Sequence, residues 1–306
     1  MPETSQVTTG RTRRPFGALL TAMCTPFSAD GQSLDLDAAQ RLAVHLADHG
    51  HDGLVVSGTT GESPTTTDAE QDQLLRAVVE AVGGRLHIVA GAGTNDTAHS
   101  LELARRAEKA GADGLLVVTP YYSKPPQEGI RRHITAVADA TDLPVMVYDI
   151  PGRSGVPIHT ETLLRLAEHP RIVAVKDAKA DLFASSVVMA NSDLAYYSGD
   201  DALTLAHLTQ GAVGAVSVVG HVAGDEYAAM FRAVDAGDLD TAITIHRQLI
   251  PAVEAIMNRT QGAIMVKAAL ELAGITTNRT VRLPLVEATD DQVAQLRGDL
   301  DKAGVL

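Results

Sequence analysis

The chain has 306 residues, of which 45% are hydrophobic and 21% are charged, and it contains one cysteine. This length suits either two domains or one large α/β barrel, and the composition excludes a disordered or fibrous protein. The net charge of −13 would repel phosphate backbones, and no apolar run approaches the roughly 18 residues that cross a bilayer, so we expect neither nucleic-acid nor membrane partners.

The first residues combine two arginines with an apolar stretch. Arg13 and Arg14 precede a run that ends at Pro26, a pattern that resembles a twin-arginine or Sec export signal. That run is only about ten residues long, and Met23 is not the small residue that a cleavage site prefers. We therefore predict a flexible polar tail over residues 1–14 and then a first strand, with export as the alternative. Because Cys24 cannot form an internal disulfide, we expect a cytoplasmic protein.

A strand-helix unit repeats along the chain. Short β-branched runs end in Gly, Pro, Ser, Thr or Asn, and an amphipathic stretch follows each run. Apolar strands separated by helices indicate parallel pairing with right-handed crossovers, and eight units close into a (β/α)8 TIM barrel. A doubly wound open sheet is the main alternative. The predicted strands are 17–23, 53–57, 86–91, 114–119, 144–148, 172–176, 195–198 and 212–219, and the helices are 37–49, 67–82, 97–110, 127–141, 159–168, 181–191, 200–209 and 224–235.

The last part of the chain has helical patterns and no strands. Helices are predicted at 239–257, 262–273 and 290–303. Since no Pro- or Gly-rich linker precedes them, we expect a C-terminal three-helix appendage, residues 237–306, packed on a catalytic barrel of residues 15–236.

Lys176 ends an apolar strand in which a charged side chain is costly. Strand alternation puts Ile172, Ala174 and Lys176 on one face. If that face points into the barrel, desolvation lowers the pKa of the amine and leaves free amine to form a Schiff base with a carbonyl. The ordinary alternative is a lysine that reaches solvent. We expect that alternative for Lys267, which lies in a helical segment outside the barrel.

Other polar residues follow the strand ends, where barrel enzymes place their active sites. Tyr148 ends strand 5, so its phenol is expected beside Lys176, where it can transfer protons. Arg153 is placed to bind a substrate carboxylate, although a solvated loop arginine has the same spacing. The segment 58–61, Gly-Thr-Thr-Gly, can form an anion nest. Five of the six tyrosines lie on or just after strands 4, 5 and 7, which indicates a functional rim: 121, 122, 148, 196 and 197.

The histidines are weaker candidates. His45 and His49 share a helical face and His51 follows, but they lie away from the strand ends. A solvated helix face is therefore favoured over a metal site. His221 follows the last strand, and no role is assigned to it.

Five segments together resemble the dihydrodipicolinate synthase family, within the pyruvate-dependent class I aldolases, and the actinobacterial members most. The resemblance covers residue 16 to the C-terminus. The segments are 53–63 (GLVVSGTTGES), 118–122 (VTPYY), 148–153 (YDIPGR), 175–177 (VKD) and 198–201 (SGDD).

The resemblance implies a lyase that joins pyruvate to L-aspartate 4-semialdehyde through a Schiff base, on the route to diaminopimelate and lysine, without a cofactor or a metal. Lys176 would form the imine, and Tyr148, Thr60 and Tyr122 would relay protons, Tyr122 from a neighbouring subunit of a homotetramer built as a dimer of dimers. The implied substrate-binding residues are Thr59, Thr60, Arg153, Gly199 and Val216.

Other activities stay open at this point. N-acetylneuraminate lyases and 2-keto-3-deoxy sugar-acid aldolases share the lysine, the tyrosine and the Gly-x-Thr-Gly-Glu loop, but Arg153 argues against them. A non-catalytic keto-acid-binding barrel and a metal-dependent class II aldolase are the alternatives from other classes. Ser63 and Asn95 match the family's lysine-inhibition site, but Asp68, Gln71 and His99 depart from it. We therefore expect inhibition by lysine to be weak or absent.

Overall fold

Eight parallel strands close into a barrel in the computed structural model, which describes residues 13–306. The strands pair in sequence order, and β8 closes the ring on β1. The predicted TIM barrel is confirmed, and the open-sheet alternative is wrong. The strands are β1 Leu19–Ala22, β2 Gly53–Val56, β3 His87–Gly91, β4 Gly114–Val118, β5 Val145–Asp149, β6 Ile172–Asp177, β7 Ala195–Ser198 and β8 Gly214–Ser217.

Helices alternate with these strands and then continue beyond them. Thr67 and Glu70 form the capping box expected at the second helix, and Gly111 caps the third in the left-handed conformation. The helices are α1 Leu36–Asp48, α2 Asp68–Val82, α3 Thr97–Ala110, α4 Gln127–Asp139, α5 Pro151–Ser154, α6 Thr160–Ala167, α7 Leu182–Asn191, α8 Thr204–Gln210, α9 Gly220–Asp235, α10 Leu239–Val253, α11 Gly262–Leu272 and α12 Asp290–Ala303.

The helix boundaries differ from the prediction at several places, and α9 begins at Gly220 rather than at residue 224. The one-turn helix α5 was not predicted. The seventh helix divides into a 3-10 turn, Asp201–Leu203, and α8. The helix predicted at 239–257 ends as a π-helical turn, Glu254–Asn258. Among the described residues, no helix is both long and apolar enough to cross a membrane.

Two apolar layers hold the barrel together. Strand residues that point inward, such as Leu20, Val55 and Ala174, form the inner core, and their neighbours pack under the surrounding helices. The predicted alternation fails at the start of β6, because Val145 pairs with Ile172 whereas Met146 pairs with Ala174. This bulge puts Ile172 in the outer layer, not on the face of Lys176 as predicted.

Segments near both ends of the described region also pack against the barrel. Arg14 donates hydrogen bonds to the Val213 carbonyl at 2.9 Å and to Asp235 at 2.8 Å. Residues 1–12 of the predicted tail lie outside the described residues. The apolar stretch behind Arg14 forms the buried strand β1. At the other end, α11 lies almost wholly in the interior and packs against α9 and α12.

Candidate active site

The carboxyl ends of the strands surround a cavity of about 1140 Å³. Lys176 and Tyr148 lie in its wall, and loops after β2, β3, β4 and β5 complete it. This is the rim where barrel enzymes carry their chemistry. The predicted residues that line the cavity include Thr59, Thr60, Tyr121, Tyr122, Tyr148, Arg153 and Lys176, and the residues compared with the lysine-inhibition site, Ser63, Asp68, Gln71, Asn95 and His99, line it as well.

Lys176 is buried at the inner end of this cavity. It is 5% exposed, and its Cα pairs with those of Tyr148 on β5 and Tyr197 on β7. Burial, and after it the charge of Arg153, lowers the pKa of Lys176 from its ordinary 10.5 to about 7, whereas Asp201 opposes the shift. A substantial fraction of the amine is therefore unprotonated near neutral pH and can attack a carbonyl.

Tyr148 lies beside that amine, as the sequence predicts. The Lys176 Nζ is 4.2 Å from the centre of its ring. Burial raises the pKa of Tyr148 to about 12, so the phenol keeps its proton at neutral pH. An amine that loses its proton and a phenol that holds one are suited to sequential proton transfers.

The loop after β2 carries Thr59 and Thr60 to the cavity wall. Its shape depends on close backbone contact, because a Cβ at Gly91 of the adjacent strand would lie 2.2 Å from the Ser57 carbonyl oxygen. The Thr25 hydroxyl donates to the Gly61 carbonyl at 2.6 Å, and the Glu62 amide donates to the Thr59 carbonyl at 3.1 Å. The loop is therefore fixed by a contact from the segment after β1 and by its own turn.

Tyr122 and Arg153 occupy the outer part of the cavity. Tyr122 is 87% exposed and has a positive φ of 69°, so its backbone conformation is unusual for a side chain of this size. Its amide donates to the Ser154 carbonyl at 3.3 Å. Arg153 is exposed on α5 and lines the cavity. Both side chains are accessible to a substrate or to a second protein chain.

Gly199 lies close to the lysine, whereas Val216 belongs to the inner core of the barrel. A Cβ at Gly199 would lie 2.9 Å from the Lys176 Cγ, so the glycine leaves room for the lysine stem. Val216 packs in the inner core, in the same cluster as Tyr148 and Tyr197.

Two of the tyrosines taken for the rim belong to the core. Tyr196 packs in the outer layer under the helices. Tyr197 is fully buried inside the barrel, and its hydroxyl donates to the Gly17 carbonyl at 2.9 Å. Their position on a strand did not distinguish them from Tyr148, because alternation and depth in the barrel decide which tyrosine reaches the cavity.

The sequence analysis did not predict that several charged side chains near the site are buried and paired. Lys267, expected to reach solvent, is instead buried and forms an ion pair with Glu62. Asp201 is buried and accepts hydrogen bonds from the Ser217 hydroxyl and, at 2.9 Å, from the Val218 amide. Glu62 lies 205 residues before its partner, and no local pattern links the two.

The histidines make structural contacts. His51 is buried, with its ring nitrogens 2.7 Å from the Thr21 hydroxyl and 2.9 Å from the Leu46 carbonyl, so the expected solvated face is wrong for this residue. His221 accepts from the Cys24 amide at 3.0 Å. Within residues 13–306, no cluster of three or more His, Cys, Asp or Glu residues is placed to hold a metal ion.

A closed α/β barrel with a buried lysine of low pKa beside a tyrosine defines an enzyme of the Schiff-base-forming type. The profile of the dihydrodipicolinate synthetase family matches residues 15–303. The chain therefore belongs to that family.

Known relatives are similar in sequence to this chain over nearly its whole length. The 4-hydroxy-tetrahydrodipicolinate synthase of Kineococcus radiotolerans is 68% identical over 292 residues, which cover 95% of this chain and 94% of that protein. The enzyme of the same name from Acidothermus cellulolyticus is 63% identical over 298 residues, covering 97% and 96%. The crystal structure of DHDPS from Cyanidioschyzon merolae with lysine bound has a TM-score of 0.93 at 43% identity, covering 96% of this chain and 100% of that one.

These findings confirm the resemblance predicted from the five motifs, including its actinobacterial character, and with it an enzyme of the lyase class.

Proposed function

We propose that this chain is a 4-hydroxy-tetrahydrodipicolinate synthase, which condenses pyruvate with L-aspartate 4-semialdehyde. The observation that carries the proposal is the buried Lys176 amine, whose pKa of about 7 supplies free nucleophile at neutral pH. The names of the relatives described above support the choice of substrates.

The reaction begins when the neutral Lys176 amine attacks the ketone carbon of pyruvate. Loss of water gives an imine, and loss of a methyl proton converts it to an enamine. The enamine carbon then attacks the aldehyde carbon of the second substrate, whose oxygen takes up a proton. The amine of the condensed product cyclises onto the imine carbon and displaces the lysine, which restores the free enzyme. Tyr148, Thr60 and Tyr122 move the protons in these steps.

The carboxylates of the two substrates require separate partners. Thr59 and Thr60 hold the pyruvate carboxylate through the loop after β2, close to Lys176. Arg153, at the outer part of the cavity, binds the carboxylate of the semialdehyde in a bidentate contact. Gly199 and Val216 define the space around the imine and keep it open.

The assembly proposed is a homotetramer, a dimer of dimers, in the cytoplasm. Tyr122 supports it, because an exposed tyrosine at the cavity edge is available to enter the site of a neighbouring subunit. In this proposal residues 15–236 form the catalytic barrel and residues 237–306 pack on it as the C-terminal region.

A coupled assay with three acceptors tests the activity. Pyruvate is offered with aspartate semialdehyde, N-acetylmannosamine or glyceraldehyde, and turnover is expected with the semialdehyde alone. Turnover with a sugar acceptor would assign the chain to another aldolase class, and no turnover with any acceptor would indicate a binding protein.

Borohydride trapping tests the chemistry separately. Pyruvate and borohydride should inactivate the enzyme and add mass to the peptide that contains Lys176, whereas EDTA should leave the activity unchanged. Lys176→Met is the control that should not be labelled. Loss of activity with EDTA, or label on a different peptide, would contradict the Schiff-base mechanism.

A further inference from the structure

A buried ion pair connects the C-terminal helix α11 with the loop after β2. The Lys267 Nζ donates to the Glu62 Oε1 at 2.5 Å, and the two side chains are 4% and 1% exposed. Neither residue lines the large cavity that contains Lys176 and Tyr148. The pair therefore lies behind the substrate-facing surface of the loop.

The remaining donors and acceptors of this pair are also used. The second oxygen of Glu62 accepts from the Arg282 amide at 2.9 Å, and the Lys267 Nζ also donates to the Thr280 carbonyl at 2.7 Å. The ring of Phe27 lies 4.1 Å from the Lys267 Nζ and 4.3 Å from the Arg282 guanidinium carbon. Two separate segments thus hold the Glu62 carboxylate in one position, and the Phe27 ring packs against the side chains of both Lys267 and Arg282.

Glu62 is directly linked to the residues that face the substrate. Its amide donates to the Thr59 carbonyl at 3.1 Å, which closes a turn around Thr60 and Gly61. Its φ of 54° is in the left-handed region, which is unfavourable for a residue with a Cβ. A turn with this conformation persists only when surrounding contacts hold it, and the ion pair with Lys267 is the charged one of the two contacts on the Glu62 carboxylate.

We propose that Lys267 is a positioning residue for the pyruvate-binding loop, acting through Glu62 to hold Thr59 and Thr60 at the distance from Lys176 that imine formation needs. The proposal rests on the proposed function, which assigns these threonines to the pyruvate carboxylate. Lys267 touches neither substrate nor the reacting atoms. Its loss is expected to affect the pyruvate half of the reaction, because that half uses the loop.

The Lys267→Met variant tests this role in the full-length protein. We expect kcat/KM for pyruvate to fall about 10- to 100-fold, the loss that a displacement of about 1 Å produces. At saturating pyruvate, kcat/KM for the semialdehyde should fall by a clearly smaller factor, because the imine is then already formed and only the proton transfer by Thr60 still depends on the loop. The rate of inactivation by pyruvate and borohydride should fall by the same factor as kcat/KM for pyruvate.

Leu270→Ala is the matched control, since Leu270 is a buried core residue of the same helix. It should lower the melting temperature while kcat/KM for pyruvate stays within twofold of the wild type. The proposal is wrong, and Lys267 is only structural, if Lys267→Met lowers kcat/KM for pyruvate and for the semialdehyde by the same factor. It is also wrong if Lys267→Met lowers kcat/KM for pyruvate no more than Leu270→Ala does.

If Lys267→Met does not fold, Glu62→Gln tests whether the ion pair positions the pyruvate-binding loop. It should lower kcat/KM for pyruvate by a similar factor, and the double variant should resemble either single variant, because both changes break one contact. Additive losses, or an unchanged pyruvate half-reaction in Glu62→Gln, would refute the link. Trapping of pyruvate on wild-type Lys176 tests the proposed function independently, so its failure is distinguishable from failure of this proposal.

Discussion

Burial of Lys176 should make the protein less stable than a variant without this amine. The pKa of Lys176 is about 7 in the folded chain and 10.5 in the absence of burial. Between these values the unfolded chain binds more protons than the folded one, so the unfolding free energy rises with pH in this window. The loss of unfolding free energy caused by burying the protonated amine is therefore complete below pH 7 and disappears above about pH 10.5.

The magnitude follows from the size of the shift. At about 1.4 kcal/mol per pKa unit, and with half of the folded molecules already neutral at pH 7, the penalty is about 4 kcal/mol at that pH. At pH 9 it falls to about 2 kcal/mol. Methionine has a similar length and no charge. Lys176→Met should therefore be inactive, and its unfolding free energy should exceed that of the wild type by about 4 kcal/mol at pH 7 and about 2 kcal/mol at pH 9.

Denaturant unfolding of the wild type and Lys176→Met between pH 7 and pH 9 measures this difference. Both proteins are compared at one concentration, because assembly adds to apparent stability. Lys109→Met, at an exposed lysine of α3, is the control and should change the unfolding free energy by less than about 0.5 kcal/mol. The reasoning is refuted if Lys176→Met is no more stable at pH 7, or if its advantage is as large at pH 9.

Three further predictions concern activity. Arg153→Met removes a charge that lowers the pKa of Lys176, so the pH midpoint of pyruvate-dependent borohydride inactivation should move upward from about 7, and an unchanged midpoint would contradict this. Tyr148→Phe should lower kcat by about 10²- to 10⁴-fold with an unchanged melting temperature, and retention of a tenth of the activity would exclude the phenol as a proton carrier. Inhibition by lysine should be weak, because the Asp68 carboxylate already contacts His99 at 3.0 Å, and a sub-millimolar inhibition constant would show the opposite.

The general architecture could be predicted because it depends on local patterns. Apolar strands alternate with capped amphipathic helices eight times, and a right-handed crossover leaves few ways to arrange such units. Since the active site of a barrel lies at the carboxyl ends of its strands, Lys176 and Tyr148 could be placed side by side, and their Cα atoms are indeed paired.

Other features could not be predicted because they depend on distant parts of the chain. The bulge in β6 follows from its register with β5, so alternation alone put Ile172 on the wrong face. Tyr197 pairs with Lys176 as Tyr148 does, but it does not line the cavity, and its hydroxyl donates to the Gly17 carbonyl instead.

The sequence by itself determined the order of strands and helices, the chemical groups at each strand end and the family to which they belong. Tertiary structure decided which of those groups are desolvated, and desolvation is what lowers the pKa of Lys176. It also decided that Lys267 is buried, because an ion pair with Glu62 exists only after the C-terminal helices dock on the barrel. Sequence patterns depend on residues that are close along the chain, whereas burial and charge pairing depend on residues that are close in space.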